Sequence, residues 1–144
     1  MLTPRIDRGE IGQCNICQSQ RCDLSWEHVP PQGSVFLSRV DIRLLFQRAV
    51  GKEGDVCISQ NGVKFRTVCR GCNSSIGRYD RALIEFTQDV RRFVETDLAV
   101  PPVVKITTRP TALARAVIGH LLAAKITADE SVFDDKLRRC VLDA

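Results

Sequence analysis

Two Cys-x2-Cys pairs, Cys14/Cys17 and Cys69/Cys72, constrain this chain more than any other feature. A tight turn that presents two sulfurs is half of a tetrahedral thiolate site, and two such turns complete one. Fifty-one residues separate Cys17 from Cys69, so a shared ion would tie together two distant parts of the backbone. The full count is 7 cysteines in 144 residues, and an odd count leaves at least one without a disulfide partner in the chain. Residues 1–13, "MLTPRIDRGEIGQ", lack the apolar core of a secretory signal. The expected compartment is therefore the cytoplasm, where cysteines serve metals or catalysis more than disulfides. Structural Zn²⁺ on Cys14, Cys17, Cys69 and Cys72 is the expectation. Cys22 is close enough to compete as a ligand. Cys57 reads as a strand core residue, and Cys140 as part of a terminal helix.

The length suits one domain with a core of its own. The longest apolar run, "ALARAVIGHLLAAKI", is interrupted by Arg115 and His120 and is too short to span a bilayer. Residues 20–29 read as strand entering Pro30-Pro31. "VFLSRVDIRLLFQRAV" has helical spacing, and "DVCISQNGVKFRTVC" reads as a hairpin turning at Asn61-Gly62. Ile76, Tyr79, Leu83, Phe86, Val90 and Phe93 recur at helical steps, behind a cap at Asn73, Ser74 or Ser75. "VVKIT" is a short strand candidate. Pro110 opens a helix over 111–125, and residues 130–142 read as a last amphipathic helix. The fold class is α+β.

Between the knuckles lies "WEHVPP", residues 26–31, and the second knuckle runs as "CRGCN", residues 69–73, into a helix. With "CNIC" at 14–17, this order resembles the HNH endonucleases of the ββα-metal (His-Me finger) group, in the subgroup with a four-cysteine zinc. The resemblance covers roughly residues 12–87. It implies a small, treble-clef-like, zinc-stapled nuclease core with additional C-terminal helices. The implied nuclease domain is 11–98 with an insertion at 32–55, and 99–144 forms a helical extension. His28 matches the family's general base. Glu27 matches the acid that binds the catalytic Mg²⁺ or Mn²⁺, and Asn73 matches a second ligand of that ion. Ile76 departs from the pattern, since many relatives carry a polar residue there.

The residues support such chemistry in their own right. Phosphodiester hydrolysis needs a proton acceptor for water, and a histidine near its usual pKa of about 6.5 can serve. It also needs charge neutralisation, which a hard divalent ion on carboxylate and amide oxygens supplies. Neighbours on a regular strand point to opposite faces, so Glu27 and His28 can serve one phosphate only if the strand bends or ends there. His120, the only other histidine, shares a face with Leu113, Val117, Leu121 and Ala124 and reads as a satisfied, partly buried histidine.

Lys64, Arg66, Arg70, Arg78 and Arg81 face a single acid, Asp80, over residues 60–81. This basic segment suggests phosphate contacts, with double-stranded DNA as partner and low sequence preference. The alternative is a non-catalytic zinc module that binds nucleic acid or protein. The C-terminal helices could brace the core, form a homodimer, or join a further domain. By analogy alone, such a combination fits bacterial defence.

Overall fold

The strand that carries Glu27-His28 runs unbroken for eight residues, and its neighbour comes from far along the chain. The computed structural model describes residues 5–34, 40–41, 58–59, 62–99, 101–126 and 131–143. Its strands are β1 (Arg5–Asp7), β2 (Ile11–Gly12), β3 (Cys22–Val29), β4 (Val40–Asp41), β5 (Ile58–Ser59) and β6 (Val63–Cys69). Helices α1 (Arg70–Val94), α2 (Pro110–Ala123) and α3 (Val132–Leu142) follow. The main sheet has the order β1-β6-β3-β2, with β1 parallel to β6 and the other pairs antiparallel. The described residues thus form a small mixed α+β structure: a four-stranded sheet, a two-stranded ladder, three helices and a cluster of four cysteines.

Several local expectations hold. Residues 22–29 are strand, and Pro110 occupies the first turn of α2; of the apolar face expected on α1, Ile76 is buried, Tyr79, Leu83, Phe86 and Val90 are half-buried, and Phe93 is exposed. The final helix has a capping box, with Ser131 and Asp134 each accepting from the other's backbone amide.

Others need correction. Among the described residues Ile58–Ser59 does not form a hairpin with β6, because β6 pairs with β3 and β1 while β5 pairs with β4; residues 55–57, 60 and 61 of the expected hairpin lie outside the described residues. Gly62 has φ +77°, and a Cβ there would lie 2.5 Å from Val29 O. The glycine therefore serves the close passage of the chain past the end of β3 into β6. The helix expected over 35–50 lies mostly outside the described residues, and Val40–Asp41 within it is strand. Residues 103–107 pair with no strand among the described residues. Val103 is exposed, and with no partner edge beside it the segment's amides are left to water. Finally, α1 begins at Arg70, with Cys69 as its N-cap and no side-chain cap. The Cys69 amide donates instead to Cys14 Sγ at 3.3 Å. A sulfur 55 residues away thus holds the residue that precedes the helix.

Asn15, inside the first knuckle, organises the packing. It is buried, and its amide nitrogen donates to Leu122 O at 2.9 Å and Lys125 O at 2.8 Å. Thr67 Oγ1 donates to Ala123 O at 2.5 Å. These carbonyls lie at or just beyond the C-terminal end of α2, where helical partners run out. Asn15 Oδ1 accepts from Arg8 at 2.5 Å, and Asn15 O accepts from Arg138 Nε at 2.9 Å. Leu122, Ala123 and Val141 from α2 and α3 accordingly share one core with Cys14, Ile16, Val68, Cys72 and Ile76. Asn15→Ala would strand several buried partners, at roughly 1–3 kcal/mol for each group left unmade. A loss of about 3 kcal/mol, or roughly 10 °C in Tm, is expected in thermal unfolding of the zinc-loaded protein. A change below about 1 kcal/mol would show that the network is dispensable.

Candidate functional site

Cys14, Cys17, Cys69 and Cys72 bring their sulfurs within 4.8 Å of one another. The Cys17–Cys69 pair is 3.9 Å apart. Zinc–sulfur bonds of about 2.3 Å in a tetrahedron place sulfurs about 3.8 Å apart, whereas a disulfide needs about 2.05 Å. The spacing is therefore that of a metal site. The turn after Cys14 closes with the Gln18 amide donating to Cys14 O at 3.0 Å, with Gln18 at φ +60°. Amides of Ile16 and Cys69 point at Cys14 Sγ, at 3.4 and 3.3 Å. The Cys72 thiol, and then these amides against the cost of burial, bring the Cys14 pKa down to about 4. Cys72 is correspondingly pushed far up by its contact with Cys14, and Cys69 is raised by burial. A structural metal such as zinc fits this site.

Cys22 is not part of the cluster. Its thiol donates to Gly12 O at 3.3 Å, and burial followed by the neighbouring thiolates pushes it up to about 11. Cys140 is exposed on α3, and Cys57 lies outside the described residues.

The register of the sheet separates the other site residues. Glu27 lies opposite Phe65, which lies beside Ile6; His28 lies opposite Lys64, beside Arg5; Trp26 lies opposite Arg66, beside Asp7. One face of the sheet therefore carries Arg5, Lys64, His28, Arg66 and Trp26, and Glu27 faces the helices. The strand does not bend at Glu27-His28 but ends one residue later, at Val29, ahead of Pro30-Pro31. The irregularity falls earlier, as a bulge at Ser25/Trp26, and the strand stays regular to Val29. Asn73 closes that bulge, its amide donating to Ser25 Oγ at 2.9 Å and to Trp26 O at 3.1 Å.

His28 Nε2 is buried without a hydrogen-bond partner. Burial, and then the charge of Lys64, lower the His28 pKa from its usual value. Glu27 is 8% exposed, and burial is the main cause that raises its carboxyl to about 7.

The basic residues divide between elements. Arg66 stacks on Trp26, 4.6 Å from the ring centroid, and faces Asp7 at 3.5 Å and Glu10 at 3.7 Å. Lys64 stays in the row with His28. Arg70 starts α1 and, with Arg66 and Trp26, lines a cleft of about 470 Å³. Arg78 and Arg81 are exposed further along α1, and Arg81 pairs with Glu85 at 2.6 Å.

His120 differs from expectation. The buried side of α2 is Ala116, Gly119, His120, Leu122 and Ala123, while Val117 and Leu121 face outward. Gly119 explains the shift: a Cβ there would meet Ile76 side-chain carbons at 3.0 Å, so α2 approaches α1 most closely at this turn. Ile76 thus has a packing role in the core. His120 Nε2 lies 2.8 Å from Asp80 Oδ1, and Nδ1 lies 3.7 Å from Glu27 Oε1. Asp80 had registered only as the lone acid of a basic segment. A fuller signal was present in its position, two helical turns after Asn73 on the same helix face.

Compared with known proteins, the chain shows no significant similarity to any protein-family model, curated protein or solved structure. No described helix is long and apolar enough to cross a membrane.

Proposed function

We propose that this protein is a zinc-stapled, metal-dependent endonuclease of the HNH type that hydrolyses phosphodiester bonds in DNA. One observation carries the reading. The four-cysteine cluster joins the turn ahead of β3 to the junction of β6 with α1, so a Glu-His strand, its antiparallel partner and the following helix form one unit. On this reading His28 accepts the proton of the attacking water, and its lowered pKa keeps the imidazole neutral and able to do so. Glu27 supplies a carboxylate to Mg²⁺ or Mn²⁺, which when bound neutralises charge on the phosphoryl oxygens. Lys64 and Arg5, in one row with His28, hold the DNA backbone and read no bases.

A second reading, a non-catalytic zinc module binding nucleic acid or protein, is favoured by the placement of Glu27 and His28 on opposite faces. Incubating zinc-loaded protein with supercoiled plasmid and Mg²⁺ or Mn²⁺ separates the two. Nicked or linear product supports the nuclease; retarded but intact plasmid supports the binding module.

The DNA surface has its own test. Lys64→Ala should weaken binding about equally across sequences and flatten the slope of log affinity against log salt by roughly one. An unchanged slope would move the contact surface away from the β6 face.

A further inference from the structure

His120 is 3% exposed, yet its Nδ1 has no hydrogen-bond partner. Its other nitrogen is hydrogen-bonded to Asp80. A carboxylate accepts, so Nε2–H donates to Asp80, which leaves Nδ1 facing Glu27. The three residues come from three elements, β3, α1 and α2, and α2 lies close against α1 at the Gly119–Ile76 contact. Their candidate ligand atoms lie within 4.8 Å of one another.

We propose that Glu27 and His120 Nδ1 hold one divalent cation of the Mn²⁺ class, with Asp80 fixing the orientation and tautomer of His120. At 3.7 Å, Nδ1 and Glu27 Oε1 are too far apart for a hydrogen bond. Two ligands each about 2.1 Å from a common ion lie roughly 3.0–4.2 Å apart, depending on the angle at the ion. A doubly protonated imidazole between two acids predicts something else, since its second N–H would be drawn to Glu27 as closely as the first is to Asp80. A carboxylate behind a ligating histidine is the usual support for such a nitrogen. Imidazole beside carboxylate favours Mn²⁺ over Mg²⁺, which prefers oxygen alone. The site rests on the nuclease reading only in making Glu27's ion the catalytic one.

Mn²⁺ titration of zinc-loaded protein, followed by the electron paramagnetic resonance of the free ion, tests it. One Mn²⁺ should bind per chain, and excess Mg²⁺ should compete poorly. His120→Ala and Glu27→Gln should weaken binding at least about tenfold, and Asp80→Asn about ten- to a hundredfold, with zinc content unchanged. In wild-type protein, Mn²⁺ should broaden the His120 ring resonances, an outcome that needs no variant to fold. No Mn²⁺ binding, or binding that leaves the His120 ring sharp, overturns the site. Plasmid nicking run alongside keeps the two proposals apart. Mn²⁺ at His120 without nicking removes the nuclease and leaves the site; nicking with the His120 ring unaffected removes the site and leaves the nuclease.

Discussion

Cys69→Ser should yield unfolded or aggregated protein with no bound zinc, while wild-type protein carries about one zinc per chain through dialysis. Cys69 ends β6, caps α1 and contributes a sulfur to the cluster, so its loss strikes three features at once. Cys14 and Cys72 of that cluster lie in the core with Ile16, Val68 and Ile76. Structural zinc in small domains supplies about 10–16 kcal/mol of binding energy. Whole domains are stable by only about 5–15 kcal/mol, so losing the ion exceeds the reserve. A strong chelator should have the same effect on wild-type protein, followed by circular dichroism. Cys22→Ser, by contrast, should keep its zinc, because Cys22 lies outside the cluster. A well-folded, zinc-free Cys69→Ser protein would show that the sulfurs are not a metal site.

His28→Ala should fold, keep its zinc and lose nicking activity by about 10² to 10⁴, the usual cost of removing a general base. The fold should survive because His28 Nε2 bonds to nothing and because the ladder of β3 uses its backbone. DNA binding should also survive, since Lys64 and Arg5 remain in the row. The loss should therefore appear in kcat with little change in KM. A fall in DNA affinity with no fall in the rate at saturation would make His28 a binding residue.

Much of the scaffold was legible because the features that specify it are local. The Cys-x2-Cys turns, the apolar steps at the start of α1 and Pro110 at the start of α2 each occupy one short stretch. The partner of β6 was not legible. Asn-Gly is a strong short-range turn signal, but here the glycine serves a steric contact with Val29 that only the assembled sheet creates. The start of α1 was misplaced for a related reason, since the residue that precedes it is held by a cysteine from the other knuckle.

The candidate site was half legible. The sequence placed the four sulfurs, Glu27 and His28 in their order along the chain. It could not say which face of β3 each side chain takes, because that depends on the register with β6 and on the bulge at Ser25/Trp26. Asn73 was read as a ligand, and the structure gives its amide the task of closing that bulge. His120 read as a satisfied, partly buried histidine because its neighbours on α2 are apolar. Its partners, Asp80 and Glu27, are 40 and 93 positions away, beyond the reach of any local pattern.

The most direct test places zinc-loaded wild-type protein and His28→Ala side by side on supercoiled plasmid, with and without Mn²⁺. The account predicts divalent-dependent nicking by wild-type protein, none without the ion, and a rate at least about a hundredfold lower for His28→Ala at equal zinc content. Plasmid left intact by wild-type protein with either Mg²⁺ or Mn²⁺, or cut equally fast by His28→Ala, would contradict it.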